Sequence, residues 1–136
     1  MTDRGGEERG WDETLDIYRV LIHTNEMGSM REPSFLILVA LSDQELHGYG
    51  IIREVKELSG GRVKLGPGTL YGTLDKLKEQ GLIEPTSTEV VDGRHRQYYG
   101  ITGAGLSAVR SEANAREETL RAATMRLHPR LRGASA

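Results

Sequence analysis

LGPGTLYGTLDKLKEQGLI, residues 65–83, sets two glycines around a proline, continues as a short amphipathic run and closes on another glycine. Leu70, Leu74 and Leu77 recur at helical spacing on one face. Gly72, Asp75, Lys76 and Glu79 occupy the opposite face. Pro67 suits a first helical turn, and Gly81 suits the residue just past a helix end. A glycine inside a helix costs about 1 kcal/mol relative to alanine. Its place on the outward face fits a helix whose backbone another molecule must approach closely.

The flanking segments have equally clear patterns. PSFLILVALSD (33–43) is apolar almost all round and predicts a buried helix. HGYGIIREVKELSGG (47–61) places Ile51, Val55 and Leu58 on one face and ends on a glycine pair. LIEPTSTEVV (82–91) and RQYYGIT (96–102) are β-prone, and Asp92-Gly93 between them is a hairpin turn signal. Residues 103–127 read as one long helix. Leu106, Ala113, Leu120 and Leu127 repeat every seven residues, with Val109 and Ala123 at the intermediate positions and Arg116 interrupting that second row. Such a thin stripe suits packing on a partner helix. Residues 1–29 form a polar, acidic leader, in which Trp11, Leu15, Tyr18 and Ile22 share a stripe of a helix expected at 11–24. Residues 128–136 read as a flexible tail.

The 136 residues suffice for one domain with a real core, and no cysteine is present to form disulfides or thiolate metal sites. The expectation is a soluble cytoplasmic protein with no membrane span. His23, His47, His95 and His128 are scattered without metal-ligand spacing, so no metal and no cofactor are expected. There is no phosphate-binding GxxxxGK[ST] loop and no nucleophile–base constellation, so no catalytic residue is assigned and the chain is not read as an enzyme. The net charge is −2, yet it is unevenly spread, with residues 1–29 at −4 and residues 30–136 at +2. For a DNA reader local placement of charge matters more than the sum.

Helix, helix, helix, hairpin, long helix is the order of a winged helix-turn-helix, a mainly α (α+β) fold, here with a long C-terminal dimerisation helix. The expected division is a DNA-binding domain over 30–102 and a dimerisation helix over 103–127, with Leu106, Val109, Ala113, Leu120 and Leu127 as its contact residues. The second helix of such a motif enters the major groove. Thr69, Tyr71, Gly72, Thr73 and Lys76 then lie on or beside the surface facing DNA, and the free N–H groups at Pro67–Thr69 offer a phosphate site. Arg62 and Lys64 flank the approach. Arg94, His95 and Arg96 lie at or beside the wing tip, where cations reach phosphates or the minor groove.

HGYGI, GPGTLYGTLDKLKEQGLI and DGRHRQYYGIT, in that order and at that spacing, closely resemble the motifs of PadR-type transcriptional regulators, over residues 30 to about 105. The resemblance implies a dimeric winged-helix protein bound to double-stranded operator DNA, usually a repressor and often released by a small aromatic or drug-like effector. It assigns DNA contact to Tyr71 and to Arg94–Arg96, and phosphate contact to Tyr49. The single C-terminal helix matches the short members of that family. Some of these hold flat ligands against a tryptophan of the last helix, but the one tryptophan of this chain is Trp11. A hydrophobic effector is instead expected between the terminal helices of a dimer, where the row Val109, Arg116 and Ala123 packs imperfectly. Blander readings stand beside these: Tyr71 as packing at the domain edge, Arg94–Arg96 as a solvated turn, Gly48 and Gly50 as spacers between helices. The rival function is a winged helix that binds only proteins.

Overall fold

The computed structural model describes residues 30–128, and the folded unit treated below begins at Glu32. The helix expected at 11–24 with its Trp11 stripe, and the tail from residue 129 on, lie outside the described residues.

Helix α1 (Glu32–Ala40) carries the apolar run and buries Leu36, Ile37, Leu38 and Ala40. It stops three residues earlier than its pattern predicts, because the Ser42 hydroxyl donates to the Val39 carbonyl at 2.6 Å and turns the chain. Strand β1 (Leu46–His47) is only two residues long. Helix α2 (Gly48–Leu58) follows, with Ile51 and Val55 in the core. Leu58, predicted on the same face, is instead 44% exposed. The helix ends there, and the next residue, Ser59, turns inward. Its hydroxyl donates to the Lys56 carbonyl and accepts from the Val63 N–H at 2.9 Å, so a hydrogen-bonded polar group closes the last turn.

Helix α3 (Pro67–Glu79) is the opening segment, with Leu70, Leu74 and Leu77 buried as their spacing requires. It ends in a Schellman turn: the Leu82 N–H donates to the Leu77 carbonyl and the Gly81 N–H to the Lys78 carbonyl. That turn needs a left-handed residue, and Gly81 supplies it at φ 73°.

Strands β2 (Ile83–Val91) and β3 (Arg94–Ile101) form the hairpin. Asp92 and Gly93 both have positive φ, 51° and 75°, the geometry of a type I′ turn. The register pairs Val91 with Arg94, Val90 with His95 and Glu89 with Arg96. Thr86 and Ser87 stand opposite Tyr98 alone, which makes a bulge on β2. β1 adds to the other edge of β3, pairing Leu46 with Tyr99 and His47 with Tyr98, so the antiparallel sheet runs β1–β3–β2. The sequence pattern does not predict this third strand.

Helix α4 (Gly103–Leu127) is capped by Thr102, whose hydroxyl accepts from the Gly105 N–H and donates to the Gly81 carbonyl at 2.6 Å. One side chain thus ties the end of α3 to the start of α4. The helix packs on α1, and two expectations about its faces change there. Val109 is buried within its own chain, with Glu112 beside it. Arg116 does not break a seam between helices. Its guanidinium lies 4.1 Å over the Phe35 ring of α1 and pairs with Glu112 at 3.5 Å. Residues 109, 112 and 116 are spaced to share one helix face, and α1 occupies that face. The sevenfold row is oriented differently: Leu106 is half-buried, Ala113 is exposed, and Leu120 and Leu127 are 66% and 75% exposed.

Candidate nucleic-acid interface

The three leucines of α3 turn one face of that helix into the core, so the residues between them must face out. Thr69, Tyr71, Gly72 and Lys76 are exposed. Thr73 is half-buried and spends its hydroxyl on the Thr69 carbonyl at 2.7 Å. A Cβ added to Gly72 would meet nothing within 4 Å. Packing therefore gives no reason for that glycine. Gly66 caps the helix without a side-chain hydrogen bond, and Pro67 stands in the first turn. Lys64 is exposed just ahead of it. Arg62 is turned aside, paired with Glu32 of α1 at 2.9 Å.

Tyr49 projects from the start of α2 and is largely exposed. Arg94, His95 and Arg96 are all exposed but belong to β3, not to the turn. Strand alternation sends Arg94 and Arg96 to one face and His95 to the other. Arg96 faces Glu89 across the ladder, and the Glu89 carboxylate accepts a 2.6 Å hydrogen bond from the Tyr98 hydroxyl. That bond favours the protonated phenol and raises the Tyr98 pKa. Burial chiefly, and then the charges of Tyr71 and Asp75 on α3, raise the Tyr99 pKa above that of an ordinary tyrosine.

His47 joins the wing to α2. Its Nδ1 accepts the Gly50 N–H at 3.2 Å and so caps the helix, while its ring meets Tyr98 edge to face at 5.3 Å. Burial lowers its pKa below 6.5, and the Arg96 and Arg53 charges lower it further, against a smaller opposing effect of Glu89. Pattern reading treats this histidine only as part of a motif; its position immediately before a helix is the signal that marks a cap. The neutral form is favoured in the folded state, so the stabilisation is present above pH 6.5 and is lost as pH falls through the lower folded value. His47→Asn keeps an acceptor at the cap and removes the titration. Its melting temperature should therefore fall less than that of the unsubstituted protein between pH 7.5 and 5.5. Parallel pH profiles would contradict this coupling.

Among the described residues no cluster of three or more His, Cys, Asp or Glu is placed to hold a metal, and no helix is long and apolar enough to cross a membrane.

The model of the transcriptional regulator PadR-like family matches residues 37–111, more than half of the chain. The chain belongs to this family. The match spans the helix-turn-helix, the wing and the first third of α4. The transcriptional regulator Rv3488 of Mycobacterium tuberculosis is 40% identical over 85 residues, 62% of this chain and 76% of that protein. Another relative is an uncharacterised 37.1 kDa protein of transposon TN4556 from Streptomyces fradiae, 38% identical over 84 residues. That match covers 62% of this chain but only 23% of the longer protein. A PadR family transcription regulator of Clostridium difficile has the same fold, with a TM-score of 0.62 over 71% of this chain and 99% of that one at 24% identity. Bacillus subtilis PadR, whose structure is in complex with operator DNA, is 28% identical with a TM-score of 0.54, over 60% of this chain and 46% of that one. The winged-helix fold and the membership of a family of PadR-like transcriptional regulators thus agree with what the three sequence motifs imply.

Proposed function

We propose that this PadR-like regulator is a cytoplasmic, sequence-specific reader of double-stranded DNA that acts as a homodimer and represses its own or neighbouring genes. In this reading α3 enters the major groove. Thr69, Tyr71, Gly72, Thr73 and Lys76 face the bases and the adjoining backbone. Tyr49, Lys64, Arg94, His95 and Arg96 meet phosphates or the minor groove. That Bacillus subtilis PadR is in complex with operator DNA supports reading this chain as a DNA binder.

The observation that carries the reading is Gly72. It sits mid-helix with open space where a side chain would go, so the fold gains nothing from its absence. Close approach of a DNA backbone or base edge explains it. Gly72→Ala should therefore act in opposite directions on stability and binding. It should raise the unfolding free energy by about 0.5–1 kcal/mol, the difference in helix propensity. It should weaken operator binding by about 1–3 kcal/mol, the scale of one lost base contact. Denaturant unfolding and a gel shift with a duplex from upstream of the protein's own gene measure the two. Unchanged affinity would refute the placement of α3 in the groove.

Leu106, Ala113, Leu120 and Leu127 form the proposed dimer face of α4, without Val109, which α1 already covers. Residues 30–102 then serve as the DNA-binding domain and 103–127 as the dimerisation helix, between the leader of residues 1–29 and the tail of 128–136. Two recognition helices address half-sites about one helical turn, ~34–36 Å, apart. Sedimentation that returns a monomer at micromolar concentration would exclude the paired arrangement. Release by a small hydrophobic or aromatic effector completes the reading and is tested by titrating planar aromatic compounds against the operator complex.

A further inference from the structure

Gly48 is the first residue of α2 and is buried. A Cβ built on it would stand 2.8 Å from the Tyr71 hydroxyl oxygen, 3.2 Å from Leu70 Cδ2 and 3.4 Å from Tyr71 Cζ. These three nearest atoms all belong to α3. Tyr71 is nonetheless 52% exposed. Its ring therefore rests with the hydroxyl end against the α2 backbone and with open surface on the outward side.

We infer that Gly48 is a positioning residue for DNA recognition: its missing side chain forms the seat that holds the Tyr71 ring in one orientation on the reading surface. The inference rests on the DNA-binding reading above. A tyrosine side chain turns about two bonds. Confining it before DNA arrives removes part of the ordering cost of binding. Tyr49, the next residue along α2, is exposed.

A methyl group at position 48 meets chiefly the far end of a side chain, so Tyr71 yields and the fold need not. Gly48→Ala should keep its melting temperature while losing affinity for the duplex from upstream of the gene. Binding to a random duplex of equal length should change little. The expected loss is about three- to tenfold, the scale of one unrestrained side chain. The decisive comparison uses Tyr71→Phe, which deletes the atom that the methyl meets at 2.8 Å. In the Tyr71→Phe background, Gly48→Ala should cost less than about twofold, within the additivity error of independent sites.

Four proteins measured by fluorescence anisotropy on both duplexes complete the cycle. An equal loss in both backgrounds, or no loss in either, overturns the inference. If Gly48→Ala alone unfolds, recovery of folding by Tyr71→Phe supports the seat, and persistent unfolding assigns the defect to Leu70 and refutes it. If the unsubstituted protein binds neither duplex, the DNA-binding reading itself fails and the seat loses its function. Binding by the unsubstituted protein with no recovery in the Tyr71→Phe background overturns the seat alone.

Discussion

Leu74→Ala should lower the unfolding free energy by about 2–5 kcal/mol, the range for truncating a buried leucine. Leu74 is 1% exposed and lies mid-way along α3, a helix against which α1, α2 and β2 all pack. Small domains have only about 5–15 kcal/mol in total, so this one change takes a large share. Loss of DNA affinity should accompany it, because the same leucine holds the reading face in position. Leu58→Ala is the internal control: that side chain is 44% exposed and should cost about 1 kcal/mol or less, in proportion to the area it hides. Urea titration of the two variants measures both. A loss below about 1 kcal/mol for Leu74→Ala, well short of the buried-leucine range, would mean that α3 is not anchored as described.

Replacing Arg94 and Arg96 together by alanine should leave the fold intact and change DNA binding in a characteristic way. Both are exposed on β3, and surface changes of this kind stay within about ±0.5 kcal/mol of stability. Neither is needed for the Tyr98–Glu89 hydrogen bond that braces the strand pair. If each neutralises one phosphate, the double variant should reduce the magnitude of the log–log salt slope by about 1.8. By the same counterion release, affinity at about 0.1 M salt should fall roughly sixtyfold. The loss should be equal on operator and random duplex, since phosphates carry no sequence. An unchanged slope would return these arginines to the status of a solvated wing. A loss confined to the operator would make them base readers.

Much of the fold is legible in the chain because its signals are local. The leucine spacing of 70, 74 and 77 sets which face of α3 is buried, and Gly81 provides the left-handed residue that ends the helix. Asp92-Gly93 meets the torsional demand of a tight hairpin without reference to anything distant. The outward position of Gly72 is likewise a consequence of helical period alone. The order of these elements was enough for the winged helix-turn-helix, and three motifs at family spacing for the PadR-like family.

Contacts between distant segments follow a different logic. β1 is two residues whose pairing exists only once β3 lies beside them, so no pattern within Leu46–His47 announces it. Leu58 continues an apolar row, yet the helix ends before that row reaches the core, and Ser59 closes the turn instead. Along α4 both rows carry apolar residues, and periodicity cannot tell a partner helix from the chain's own α1. Packing assigns Val109, Glu112 and Arg116 to α1 and leaves Leu120 and Leu127 uncovered. Gly48 and Tyr71 are separated by more than twenty residues, and the seat between them arises only where α2 crosses α3. Hydrophobic period and turn chemistry act within a few residues, so the chain alone dictates the elements, their order and the outward face of α3. Which of two similar apolar faces is occupied, and which side chains meet, is settled only when the elements pack, because burial is non-directional and a stripe does not specify what covers it.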